Sequence, residues 1–159
     1  MSKVIIFSDG ASKGNPGDAG IGVVISSEDG TVLREIAEYI GKTTNNVAEY
    51  SALIRGISEA LDMNATSVEI STDSELLARQ LTGVYKVKSD NLKPLFNEAV
   101  TLLRCFKNVS ISHVLRGFNK RADELANEGV KKHKINIANT KPASIDPPKP
   151  KEPQGTLDF

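Results

Sequence analysis

A single cysteine, Cys105, is all the thiol chemistry the chain holds, which excludes an intrachain disulfide and points to a reducing compartment. Its setting, Leu102-Leu103-Arg104-Cys105-Phe106, predicts a buried small hydrophobe rather than a nucleophile. An excess of one charge is also lacking: 20 lysines and arginines balance 20 acids. Bulk positive charge is therefore not what would hold this protein to nucleic acid, although an acidic metal site can offset a basic groove in the total. No apolar run reaches membrane-spanning length, and the one after Met1-Ser2-Lys3 is too short for a signal peptide. A cytoplasmic protein is expected. With 159 residues, 39% hydrophobic and 25% charged, the composition is that of one domain able to bury a core.

What is there begins with Lys3–Ser8, a β-branched run that reads as a strand ending at Asp9-Gly10. Gly14-Asn15-Pro16-Gly17 is a dense turn signal before a second strand over Gly20–Ser27. Glu28-Asp29-Gly30 closes a hairpin into a third strand, Thr31–Ile40, with Val32, Ile36 and Ile40 on one face. The period then changes. Val47, Tyr50, Leu53, Ile54, Ile57 and Leu61 form a helical stripe, with Thr44, Asn45 and Asn46 as capping residues ahead of it. Ser67–Thr72 reads as a strand ending at Asp73; Ser74 caps a short helix that stops at Gly83. Pro94 starts a third helix, Val109–Leu115 is a fifth strand, and Asn119 caps a last helix.

The predicted order is β-β-β-α-β-α-α-β-α. Three strands joined by tight turns form an antiparallel meander, and strands separated by helices add in parallel. The expected fold class is α/β, a five-stranded mixed sheet flanked by helices. The domain is expected to span residues 1–135. Over 136–159, five of the 7 prolines fall among lysines, which predicts a flexible tail.

Four acids stand near element ends: Asp9, Glu49, Asp73 and Asp123. If the first and fourth strands are neighbours, Asp9 and Asp73 lie side by side at one end of the sheet, where open α/β sheets place their sites. Clustered carboxylates repel one another unless a hard divalent cation with oxygen ligands neutralises them. Each acid alone also has a structural explanation. Asp9-Gly10 suits a turn and Asp73-Ser74 a helix cap, while Glu49 and Asp123, expected in first helical turns, suit the helix dipole.

Four stretches carry a resemblance. Asp9-Gly10-Ala11-Ser12-Lys13-Gly14-Asn15-Pro16-Gly17 with Gly20-Ile21-Gly22, then Thr44-Asn45-Asn46-Val47-Ala48-Glu49, then Ser71-Thr72-Asp73-Ser74, then Asn119-Lys120-Arg121-Ala122-Asp123-Glu124-Leu125-Ala126 resemble the motifs of type 1 ribonucleases H. They occur in the family's order over roughly the first 130 residues. The resemblance implies the ribonuclease H-like fold and cleavage of the RNA strand of RNA–DNA hybrids with two Mg2+ ions, or Mn2+, leaving a 3′-hydroxyl and a 5′-phosphate. It gives Asp9, Glu49, Asp73 and Asp123 the metal-holding and catalytic roles, with Asp9 bridging both ions. Ser12, Gly14, Asn15, Asn45 and Asn46 match positions that touch the hybrid, several near RNA 2′-hydroxyls. Thr44 matches a contact to a phosphate of the DNA strand, and Ser74 and Arg116 are placed with the substrate-binding group. Asn and Thr before a helix are also ordinary caps, and both roles can hold together.

Two departures from the family pattern stand out. The loop before the last acid, Arg116-Gly117-Phe118-Asn119, lacks the histidine that many members carry, and Arg116 is the residue placed to take over part of its role. His113 lies earlier, within the predicted strand. The basic handle of some members shrinks to Tyr85-Lys86-Val87-Lys88, and the chain has no tryptophan, so hybrid affinity is expected to be modest and salt-dependent. Gln154-Gly155-Thr156-Leu157-Asp158-Phe159 resembles peptides that dock on DNA sliding clamps; Gln154, Leu157 and Phe159 would be the anchors, against the alternative of an unstructured end. A monomer is expected. The alternatives are a nuclease of the same superfamily acting on DNA or junctions, and a non-catalytic hybrid-binding module, which would not need all four acids.

Overall fold

The computed structural model describes residues 3–139. The elements follow the predicted order: β1 (Lys3–Ser12), β2 (Gly17–Ser27), β3 (Val32–Thr43), α1 (Asn45–Asp62), β4 (Ser67–Thr72), α2 (Glu75–Leu81), α3 (Lys93–Leu103), β5 (Asn108–His113), a 3-10 turn (Arg116–Asn119) and α4 (Lys120–Asn139). The sheet runs β3-β2-β1-β4-β5. The first three strands pair antiparallel, while β4 joins β1 and β5 joins β4 in parallel. Mixed pairing follows from the connections, since tight turns permit only antiparallel neighbours and helical crossovers return the chain in the same direction.

The strands' alternation divides the core into two layers. Val4, Ile6, Ile21, Val23 and Ile25 bury one face of the sheet against Tyr50, Leu53 and Ile57 of α1. On the opposite face Val24 and Ala37 meet Leu125 of α4, with Phe7 packed alongside. Thr44 caps α1 by accepting from the Val47 N–H at 3.3 Å, and Ser74 caps α2 by accepting from Leu77 at 3.1 Å, as their residue types predict.

Several expectations change. β1 does not stop before Asp9 but continues to Ser12, because β2 goes on pairing with it after β4 has ended. A register shift between Ile25 and Ser26 in the β2–β3 ladder breaks the alternation at the start of β3, leaving Val32 53% exposed while Leu33 packs on the core. Cys105 is exposed, not buried: α3 ends at Leu103, and Phe106 takes the core position instead. The fifth strand ends at His113, which is exposed. α4 runs as far as Asn139. The remaining tail, with Gln154, Leu157 and Phe159, lies outside the described residues. Among the described residues no helix is long and apolar enough to cross a membrane.

Candidate active site

The parallel register pairs Phe7 with Ser71, so its continuation brings Asp9 level with Asp73 at one end of the sheet. Two glycines then let helices approach. A Cβ on Gly10 would lie 2.3 Å from the Ala48 carbonyl carbon and 2.5 Å from the Glu49 nitrogen. Its absence seats the N-terminal part of α1, and therefore Glu49, against Asp9. Gly22 faces Asp9 across the β1–β2 ladder, and a Cβ there would lie 2.1 Å from the Ala122 carbonyl oxygen. That contact brings in the first turn of α4, which carries Asp123.

As a result, one carboxylate oxygen each from Asp9, Glu49 and Asp73 lies within 4.8 Å of the others. Asp123 is outside this trio but close enough to Asp9 for its carboxyl to push the Asp9 pKa up. Glu49 does not fall in the first turn of α1, which begins at Asn45 and has no acid there, so the helix dipole does not account for it. Asp123 does fall in the first turn of α4, and that explanation still fits it.

The electrostatics explain what such a cluster lacks. Burial, reinforced by the Glu49 charge and the nearby Asp123 carboxyl, pushes Asp9 from 3.8 up to about 9. Burial and the charge of Asp73 push Glu49 up to about 8, although the Gly10 N–H and Arg116 act in the other direction. Glu49 Oε1 and Asp73 Oδ2 are buried without a hydrogen-bond partner. Arg116 reaches toward Asp73, its Nε 3.6 Å from Oδ2, but its side chain is 84% exposed and offers little screened charge. An all-oxygen set with buried, unpartnered acceptors fits a hard divalent cation.

Beside the acids lies a polar rim built from two segments. Ser12 donates from its hydroxyl to the Thr43 carbonyl at 2.8 Å and to the Gly14 carbonyl. Asn15 Oδ1 accepts from the Asn45 N–H at 3.0 Å, binding the β1–β2 loop to the start of α1. Ser12, Gly14, Asn15, Thr44, Asn45 and Asn46 are thus brought to one edge, where Asn15, Asn45 and Asn46 stay exposed. Ser74 stands immediately after Asp73 as the α2 cap. Lys13 adds a tie that the sequence did not suggest: its Nζ donates to Asn127 Oδ1 at 2.6 Å, and Asn127 donates to the Asp123 carbonyl at 2.9 Å. The region of Tyr85 and Lys86 has no regular structure, and the Arg79 guanidinium lies over the Tyr85 ring, 5.6 Å from its centre.

Residues 7–129 match the family model described as reverse transcriptase-like. The chain is 43% identical over 129 residues to the Bifunctional protein Rv2228c of Mycobacterium tuberculosis, covering 80% of this chain and 35% of that protein. It thus spans about a third of the length of that relative. The crystal structure of RNase H1 from Halobacterium salinarum superposes with a TM-score of 0.80 at 42% identity, covering 82% of this chain and 98% of the other. The LC11-RNase H1 structure in complex with RNA/DNA hybrid superposes with a TM-score of 0.78 at 47% identity, covering 82% and 99%.

Proposed function

Because the chain belongs to the ribonuclease H family, we propose that it is an endonuclease that hydrolyses the RNA strand of RNA–DNA hybrids at the carboxylate cluster. The observation that carries this reading is the convergence of Asp9, Glu49 and Asp73, with Glu49 Oε1 and Asp73 Oδ2 buried without a hydrogen bond. Two Mg2+ ions, or Mn2+, held by Asp9, Glu49, Asp73 and Asp123 would supply an activated water and stabilise the leaving oxygen. Asp9, at the centre of the group, would bridge the two ions. Asp123 would help to hold the one on the water side, and Glu49 and Asp73 would complete the set. Water adds to phosphorus and the bond to O3′ breaks, leaving a 3′-hydroxyl and a 5′-phosphate.

The rim would read the substrate. Asn15, Asn45 and Asn46 present amides at an exposed edge beside the acids, where 2′-hydroxyls distinguish RNA from DNA. Ser12 and Gly14 shape the loop, Thr44 would meet a phosphate of the DNA strand, and Ser74 would lie next to the scissile region. Arg116, with its guanidinium over Asp73, would assist where other family members use a histidine. That LC11-RNase H1 crystallises with RNA/DNA hybrid supports the choice of substrate. The tail's Gln154, Leu157 and Phe159 would tether the nuclease to a DNA sliding clamp in the cytoplasm, the domain itself acting as a monomer.

The test is cleavage of labelled RNA–DNA hybrid beside duplex RNA and duplex DNA, with Mg2+, Mn2+ or chelator. Metal-dependent cutting of the hybrid alone is expected. Equal activity in Asp9→Asn would overturn the assignment. Deleting Gln154–Phe159 should abolish clamp binding and spare cleavage of short hybrids.

A further inference from the structure

We propose that Asn119 is a positioning residue whose buried side-chain amide, anchored on the Ser8 carbonyl, sets Asp123 against Asp9. The sequence suggests only a helix cap at this position. In the structure Asn119 is 2% exposed, and its Nδ2 donates to the Ser8 carbonyl at 2.9 Å, joining positions 111 residues apart. Ser8 lies one residue beyond the last β1–β4 pair, Phe7 with Ser71, and one residue before Asp9. The amide therefore engages β1 just where β4 stops pairing with it. In the other direction, Asn119 ends the 3-10 turn and leads straight into α4, with Asp123 one helical turn further on.

Nothing else in that turn is buried. Leu115 and Phe118 are 71% and 73% exposed, the turn has no side-chain cap, and Asn119 is its one buried residue. Apolar packing therefore seats α4 only from Ala122 onward, against Gly22, and the turn before it is held by the amide. The amide is also a poor choice for stability alone, since its Oδ1 is buried without a partner among the described residues. A half-satisfied buried amide costs more than an apolar side chain would, whereas an apolar side chain could not grip the Ser8 carbonyl. The turn also carries Arg116, which reaches Asp73. One hydrogen bond thus sets two groups at the acid cluster from the same side.

This inference rests on the reading of Asp123 as part of the site. Asn119→Ala and Asn119→Asp should each lower kcat for hybrid cleavage about 10- to 100-fold, with KM for hybrid nearly unchanged. Calorimetric titration with Mn2+ alone should show binding weakened by a similar factor. Val130→Ala, which loosens α4 at a buried site away from the acids, should lose thermal stability yet keep both kcat and Mn2+ affinity. Asn119 variants that keep both, or lose them only as far as Val130→Ala does, overturn the proposal. Should the variants not fold, NMR on the unaltered protein decides. The Asn119 side-chain amide protons must exchange slowly and shift as Mg2+ is added, and free exchange or indifference to Mg2+ overturns it equally. Intact hybrid cleavage in Asp9→Asn would instead strike the site assignment beneath it.

Discussion

At the end of β1, Asp9, Glu49 and Asp73 crowd together, with Glu49 Oε1 and Asp73 Oδ2 buried without a hydrogen bond and only the exposed Arg116 near them as a countercharge. Across β3 and α1, Glu38 and Glu59 sit in a half-buried lattice of guanidinium groups. Arg55 contacts Glu38 at 3.2 Å and Glu59 at 2.8 Å, and Arg34 contacts Glu59 at 3.2 Å. Arg121 likewise holds Glu35 at 2.9 Å, tying α4 to β3. The same functional group is treated in opposite ways. In the lattice, hydrogen bonds from arginine lower the carboxyls of Glu35 and Glu59 below their ordinary range. In the cluster, burial and like charge push Asp9 up to about 9 and Glu49 up to about 8. Surface acids are neutralised from within the sequence, whereas the buried ones are left to be neutralised from outside it.

The largest effect should come from removing the central acid. Asp9→Asn should reduce hybrid cleavage on the order of 10³-fold, the equivalent of several kcal/mol of lost metal-centred stabilisation. The same change in Glu59→Gln should leave turnover untouched, and a similar loss there would erase the contrast. Next comes the glycine contact beneath the cluster. Gly22→Ala forces a Cβ into the Ala122 carbonyl, and we expect a loss of about 1–3 kcal/mol in denaturant unfolding together with reduced turnover.

The pH dependence separates the two regions by sign. Asp9 and Glu49 have folded pKa values above the unfolded ones, so the folded state holds extra protons. In chelator, stability should therefore be full below about pH 4 and fall as pH rises toward 8 to 9. Asp9→Asn should relieve at least ~1.4 kcal/mol of this at pH 8, one pKa unit's worth, and added Mg2+ should flatten the slope. Glu35 and Glu59 are shifted down, so their contribution is present above the ordinary glutamate range and is lost as pH falls through their folded values. Urea midpoints measured across pH 3–9 would show both limbs. The smallest effect belongs to the lattice itself: Glu59→Gln should cost about 1 kcal/mol or less, a cost that shrinks in high salt.

Much of the frame was legible in the residues. The helical stripe from Val47 to Leu61 and the caps at Thr44 and Ser74 are local properties and appear where their residues predict, as does strand alternation outside the start of β3. The four acids were also legible as candidates, but their meeting depended on β1 and β4 being neighbours. What the sequence concealed depends on distant partners. The register shift at Ile25 skips Leu33 in β3, which only the pairing of β3 with β2 reveals. Cys105 sits among apolar neighbours yet faces solvent, because the end of α3 turns Phe106 inward in its place. Asn119 has the residue type of a cap but spends its amide on Ser8.

The chain by itself determined the element order, the mixed sheet and the identity of the acids, because periodicity, turn residues and charge are written into neighbouring positions. Only the tertiary structure decided that Asp9, Glu49 and Asp73 share one buried space with Asp123 beside them. Burial and mutual repulsion exist only once β4 lies next to β1 and the glycines at 10 and 22 have let two helices close upon Asp9. Desolvation is a property of what surrounds a group, and those surroundings come from segments more than a hundred residues apart.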